Sequence, residues 1–243
     1  MKDIIKQLQD DKEYYTGVGR NYLSNSDIGD LIKNPKNFRK PREDNKNFLV
    51  GRYFHQLILE PEKAAATPHV DLASRNSKAY KEFLAENNLE LGLLTKEKLM
   101  MEDLVESMLN VKDIRALIQE EGVQYEVPMI KEIHGEMWKG KADIVGSEYI
   151  FDIKTTGAID KFKWSVRDYN YDSQAYIYQQ LFGKPLVFLV VDKTTKMIGM
   201  YSVSDESLER GEQKVAKAVA QYRKFYGDMP EEDINQFYFY DEV

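Results

Sequence analysis

Between Gln124 and Lys154 the chain reads as three short runs of β-forming residues, with turns near His134-Gly135 and Gly146-Ser147. The runs Gln124 to Ile130, Glu136 to Val145 and Tyr149 to Lys154 predict three strands in a meander. Turns this short join antiparallel neighbours, so the stretch commits the chain to a sheet. The second strand carries Asp143 and the third carries Asp152-Ile-Lys154. Side chains alternate along a strand, so Asp152 and Lys154 share a face among the apolar residues Ile150, Phe151 and Ile153. Charges on such a strand are costly to bury without a partner or a task. Two nearby carboxylates repel, and a site that keeps both ionised usually holds a cation. A lysine beside that cation can orient a water or stabilise a charged transition state. That is the outline of a metal-dependent phosphodiesterase. Carboxylate-any-lysine also occurs at Asp10/Lys12, Asp44/Lys46 and Glu212/Lys214, in polar or helical surroundings. A salt bridge alone would explain Asp152 and Lys154, but it would not need Asp143.

The rest of the pattern is mostly helical. Residues 1–20 read as a polar, poorly fixed start. Ser24 to Pro35 predicts a capped short helix stopped by Pro35, followed by a polar, basic loop over 38–48. Residues 49–60 have helical spacing and are ended by Pro61. Residues 76–87 and 95–120 read as helices, the second with a stripe of Leu104, Met108, Val111 and Leu117. After the meander come a helix from Tyr171 to Phe182 closed by Gly183, an apolar strand from Leu186 to Val191 as expected near a sheet centre, a strand from Met197 to Val203, and a long amphipathic helix from Glu206 to Tyr226. The expected fold class is α/β, one domain with helices packed over a mixed sheet.

Composition narrows the function classes. The chain has 243 residues, 42% of them hydrophobic, and no cysteine. Disulfides, a cysteine-zinc site and an iron–sulfur cluster are excluded. There is no signal peptide and no apolar run long enough to span a membrane, and the absence of cysteine fits a reducing cytoplasm, the expected location. The net charge of −7 owes most to residues 228–243, which hold six acids and no base. Residues 31–54 instead carry Lys33, Lys36, Arg39, Lys40, Arg42, Lys46 and Arg52 against Glu43 and Asp44. Such a run is either a solvated face or a local basic surface that attracts phosphates. His69 and His134 read as surface residues, and Trp138 and Trp164 as packing residues, with Trp164 near enough to the charged strand to line a channel.

The order helix, three strands, helix, strand, with Asp143 and Asp152-Ile-Lys154 on strands two and three, resembles the PD-(D/E)xK nuclease superfamily. Gln174-Ala-Tyr-Ile-Tyr178 matches the Gln-x-x-x-Tyr motif of its RecB-like branch, and the four-residue spacing puts both side chains on one helix face. Gly51 to Pro61 resembles the helix that presents an upstream histidine in that branch. Ser24-x-Ser26 with Leu31, Pro35 and Phe38 is similar to the N-terminal segment of RecE-type phage exonucleases. The likeness runs from about residue 21 to about residue 227, and the one plain departure is Ala142, where the superfamily often has proline.

The resemblance implies a restriction-endonuclease-like core with a central mixed β-sheet flanked by helices. It implies one nuclease domain over 1–243, with a helical part at about 21–120, a catalytic core at about 121–227 and an acidic tail at 228–243. His55, Asp143, Asp152 and the Ile153 carbonyl would bind Mg²⁺ or Mn²⁺. Lys154 would position or activate water, Glu126 would assist, and Gln174 and Tyr178 would hold the DNA end or Lys154. Without their motifs, His55 and Tyr178 read as packing residues and Glu126 as an edge residue facing solvent. The implied activity is a 5′→3′ exonuclease on linear double-stranded DNA ends, leaving 5′-phosphates, in the cytoplasm of a bacterial host. It would work beside a single-strand annealing protein and as a ring of three or four copies. The competing readings are an endonuclease or flap nuclease of the same fold, and a non-catalytic subunit that binds DNA ends.

Overall fold

A computed structural model describes residues 2–41 and 45–239. The chain begins with helices α1 (Lys2–Gln7), α2 (Asp11–Tyr15), α3 (Asn25–Lys33), α4 (Lys46–Leu59) and α5 (Pro61–Ala66). Strand β1 (His69–Val70), α6 (Lys78–Glu86), β2 (Leu93–Leu94), α7 (Thr95–Leu109) and α8 (Lys112–Ile118) follow. Then come β3 (Gln124–Ile133), β4 (Glu136–Val145), β5 (Ile150–Thr156), α9 (Phe162–Asp168), α10 (Tyr171–Phe182), β6 (Leu186–Asp192), β7 (Ile198–Ser202) and α11 (Asp205–Phe225). The predicted meander is present. His134 and Gly135 sit at φ 53° and 76°, a pair of left-handed residues that matches the twist of the flanking strands.

The main sheet runs in the order β3-β4-β5-β6-β7. Only β5 and β6 are parallel, so the sheet is mixed, as expected. All seven residues of β6 are buried, which requires cover on both faces. One face packs Trp138, Ile150 and Phe188 against α3, α10 and α11; the other packs Phe151, Ile153 and Leu189 against α4, α7 and α8. Gly183 closes α10 at φ 69°. A capping box between Ser24 and Asp27 starts α3, and Pro35 follows its end.

Several expectations change. Residues 2–20 are not a loose start: Leu8 and Tyr14 are buried with Ile130 of β3. Residues 95–120 form two helices rather than one, because Val111 adopts an extended backbone as the cap of α8. Its side chain is exposed, outside the expected stripe. Pro61 ends α4 but also opens α5, where its missing N–H costs nothing. The basic loop is shorter than expected, since Asn45 caps α4 through the Asn47 and Phe48 N–H groups. Trp138 is fully buried, whereas Trp164 is 56% exposed, with the Lys163 ammonium over its ring. Among the described residues, no helix is long and apolar enough to cross a membrane.

Two glycines show what packing demands of helices. A β-carbon at Gly211 would lie 2.3 Å from the Asp172 carbonyl oxygen, backbone against backbone. Gly211→Ala gains about 1 kcal/mol of helix propensity. It pays an overpacking cost of about 1–3 kcal/mol that no rotamer change can relieve. A β-carbon at Gly51 meets nothing within 4 Å. Gly51→Ala is therefore expected to raise the melting temperature by about 2 °C, and Gly211→Ala to lower it by several degrees. Thermal unfolding of both variants checks the pair, and a stabilised Gly211→Ala would disprove the α10–α11 contact.

Candidate active site

The site sits where two strands part. β4 and β5 are paired at Ile144–Phe151 and Val145–Ile150 and no further. The next residues toward the open end are Asp143 and Asp152. Asp143 caps the opened ladder, its Oδ2 accepting the Ile153 N–H at 2.8 Å. Ile153 thus reaches Asp143 through its N–H.

The neighbouring strand distorts at the same level. Glu126 lies opposite Asp143, between the pairs Tyr125–Ile144 and Val127–Ala142, and its φ is +50°. Left-handed backbone at a non-glycine costs on the order of 1–3 kcal/mol and is often kept where function needs it. Residues two apart on a regular strand share a face. Ala142 and Ile144 do not: Ala142 packs with Trp138 and Ile144 with Phe151, in opposite cores. The alternation of β4 therefore breaks at Asp143, which points it out of both cores and toward the fork.

Helices from both layers complete the site. From α4, His55 Nδ1 lies 2.9 Å from the Gly51 carbonyl, one helical turn back, and its Nε2 lies 3.1 Å from Asp143 Oδ2. From α10, Gln174 donates to Asp152 Oδ1. Lys154 Nζ lies 2.5 Å from Asp152 Oδ2 and 4.8 Å from the centre of the Tyr171 ring, a cation–π contact. Gln174 thus holds Asp152 rather than Lys154. Tyr178 is buried and lies one step back, donating to the Lys141 carbonyl of β4 at 2.9 Å. A β-carbon at Gly140 would sit 2.8 Å from the Tyr178 ring, so that glycine lets α10 approach β4. Glu126 Oε2 is 4.0 Å from Lys141 Nζ, which also pairs with Asp11 of α2 at 2.6 Å. His69 is exposed and His134 stacks on Tyr176, both away from this group.

Each carboxylate has its own cation here. Burial would raise the Asp143 pKa, but the charge and hydrogen bond of His55 outweigh it and lower it. Burial would lower the His55 pKa, yet Asp143 carries it up to about 9. Asp152 is pushed up, first by burial and then by the Asp143 charge, with Lys154 opposing. Lys154 is raised because Asp152 and Asp143 overcome its burial. Burial and the Asp143 charge lift Glu126 to about 7.

The donor chemistry fits a hard divalent cation. The Nδ1 contact with Gly51 leaves Nε2 as the nitrogen that faces Asp143. The 3.1 Å between Nε2 and Oδ2 compares with about 3 Å between adjacent corners of an octahedron with Mg²⁺-length bonds. Asp152 Oδ2 is a buried oxygen met by the Lys154 ammonium at 2.5 Å, as an ion pair. Among the described residues, however, no three of the His, Asp or Glu side chains form a ready-made metal cluster. The pairs His55–Asp143 and Asp152–Lys154 stand side by side, joined through the Ile153 N–H. Sequence reasoning missed Tyr171 and Lys141. Tyr171 opens the helix that carries Gln174, and that position was its only signal.

Residues 31–229 match the PDDEXK-like domain of unknown function, DUF3799. Among solved structures, a protein from Eubacterium rectale provisionally named an exonuclease superposes with a TM-score of 0.65. The match covers 88% of this chain and 85% of that one, at 20% identity, and the likeness is one of fold. A phage-related exonuclease from Haemophilus somnus 129PT matches at TM-score 0.37 and 13% identity, over 84% of this chain and 94% of its own. An alkaline exonuclease from Laribacter hongkongensis matches at 0.38 and 13%, over 86% and 91%. Both superpose too loosely to add to the first. No curated protein matches the chain in sequence.

Proposed function

This chain belongs to the PDDEXK-like domain family, and we propose that it is a divalent-metal-dependent deoxyribonuclease acting 5′→3′ from the ends of linear duplex DNA. The observation that carries this reading is the fork: β4 and β5 part at Asp143 and Asp152, and Lys154 stands 2.5 Å from the second carboxylate. His55, Asp143, Asp152 and the Ile153 carbonyl would hold Mg²⁺ or Mn²⁺. When bound, the ion neutralises charge on a phosphodiester and sharpens the attacking water. Lys154 faces the same point with a positive charge for the transition state. Glu126, at about 7, is a group that can accept a proton near neutrality. Gln174 and Tyr178 act as positioning residues, the first through Asp152 and the second through β4. The products would carry 5′-phosphates.

End-labelled linear duplex and covalently closed circular DNA, each with Mg²⁺, test the reading. Release of labelled nucleotides from linear DNA alone is the expected result, and the labelled end that disappears first gives the polarity. Nicking of the circle would make the protein an endonuclease. Binding of ends without cleavage would make it a non-catalytic subunit. The ring of three or four copies and the strand-annealing partner belong to this reading as well. Light scattering checks the ring, and a strict monomer at micromolar concentration removes it while leaving the chemistry.

His55→Ala is expected to raise the Mg²⁺ concentration for half-maximal cleavage by about 10–100-fold. Mn²⁺ should restore part of the loss, because the remaining sites favour it in the usual affinity order. Wild-type metal dependence in this variant would return His55 to a packing role.

A further inference from the structure

Some of the basic residues in 31–54 are committed within the molecule. Arg39 is tied down on the Arg20 and Tyr22 carbonyls and beside Asp27. Lys36 reaches the Asn235 carbonyl, and Lys46 lies 3.5 Å from Glu97. Arg42, Glu43 and Asp44 lie outside the described residues. Positive charge gathers elsewhere, in a cleft of about 560 Å³ between α3, the α9–α10 corner and α11. Lys33, Arg167, Arg210, Lys214 and Lys217 line it, from three separate parts of the chain.

These five cations divide into two groups. Arg210 and Lys214 both pair at 2.8 Å with Asp172, whose side chain is fully buried. Lys214 also donates to the Arg167 carbonyl and to Asn170. That knot fixes the cleft wall and spends most of its own charge. Lys33, Arg167 and Lys217 are exposed, and among the described residues none of them makes an ion pair. Among the described residues, Asp168 is the one acid that lines the cleft. A wall bearing three cations free of ion pairs has the charge to accept phosphates, with the half-buried Ile32 offering apolar floor to sugar or base.

The cleft adjoins the reactive centre. Asn170 lines it, and the next residue, Tyr171, lies against the Lys154 ammonium. We propose that the cleft carries the backbone phosphates of the DNA strand that runs from the active site over the start of α10, gripped by Lys33, Arg167 and Lys217. This inference rests on the nuclease reading, and it names the part of the substrate held outside the reactive centre.

The test keeps the two claims apart. Hydrolysis of bis(p-nitrophenyl) phosphate by the wild-type chain with Mn²⁺ reports on the reactive centre alone, because so small a diester does not reach the cleft. Its absence, together with uncut DNA, counts against the nuclease reading. Equilibrium binding of a short blunt duplex, with Ca²⁺ in place of Mg²⁺ and over a range of salt, reports on the cleft. The triple variant Lys33→Gln, Arg167→Gln, Lys217→Gln is expected to bind about 10²-fold more weakly at low salt. Its slope of log affinity against log salt should be shallower by about 2–3. The charge-preserving triple Lys33→Arg, Arg167→Lys, Lys217→Arg should keep both values and shows that the fold is intact. Unchanged affinity and slope in the glutamine variant would overturn the proposal. So would unchanged DNA binding with a loss of self-association, which would give the cleft to an acidic protein surface.

Discussion

Asp152→Asn is expected to reduce Mg²⁺-dependent cleavage by about 10³-fold while the chain still folds. Asparagine has the shape of the aspartate, and its Oδ1 can still accept from Gln174 as Asp152 does. What disappears is the anionic Oδ2, the buried oxygen that meets the Lys154 ammonium. Losing a charged oxygen of a metal site removes several kcal/mol of transition-state stabilisation, and each 1.36 kcal/mol is a factor of ten. The effect on stability has the opposite sign from the one that two repelling carboxylates suggest. Asp143 is paired with His55 and Asp152 with Lys154, so the relief of burial and of the Asp143 charge at position 152 is outweighed by the stranding of the Lys154 ammonium. Lys154 keeps the Tyr171 ring and some water, its side chain being 18% exposed. The loss should therefore be about 1–2 kcal/mol, below that of a fully buried broken pair. Cleavage assays and thermal unfolding of the same preparation check both halves. Near-wild-type cleavage would remove Asp152 from the site.

How much of this was legible depends on the range of the interaction. β4 and α10 match their expected bounds, Glu136 to Val145 and Tyr171 to Phe182, because turn and cap chemistry at His134-Gly135 and Gly183 is local. Asp152 and Lys154 were readable as a pair because strand geometry alone puts residues two apart on one face. His55 and Asp143 are 88 positions apart, a span no periodicity carries, and only the likeness to a family pointed to His55. The side chain of Glu126 was readable, but its left-handed backbone was not, since glutamate has no preference for that region. The N-terminal helices are too short and polar to announce themselves. Their docking rests on Leu8 and Tyr14, and on Asp11 reaching Lys141. The cationic cleft draws on three distant segments, so a charge count along the chain highlighted 31–54 instead. The acidic segment 228–243 is described as far as Phe239. Phe237 packs there on Phe225, and Glu232 pairs with Lys224 at the end of α11. Asp241 and Glu242 lie outside the described residues.

Lys154→Met is the second large effect expected. Methionine keeps roughly the length and apolar stem of lysine, so packing against Tyr171 is retained while the charge is lost. The Lys154 ammonium is turned inward, 2.5 Å from Asp152 and over the Tyr171 ring. Its contribution should therefore appear where charge develops on the phosphate, not in the ground-state complex. Removing one such preorganised group typically costs about 10²–10³-fold in kcat. The dissociation constant for duplex DNA, measured with Ca²⁺ in place of Mg²⁺, should move by no more than about threefold. This is the reverse of the pattern expected for the cleft, where Lys33, Arg167 and Lys217 should govern affinity and its salt dependence. Removing Lys154 also leaves Asp152 as a buried carboxylate held only by Gln174, which favours its neutral form. A defect confined to DNA affinity, with kcat unchanged, would make Lys154 a phosphate clamp and would move the transition-state charge to another residue of the fork.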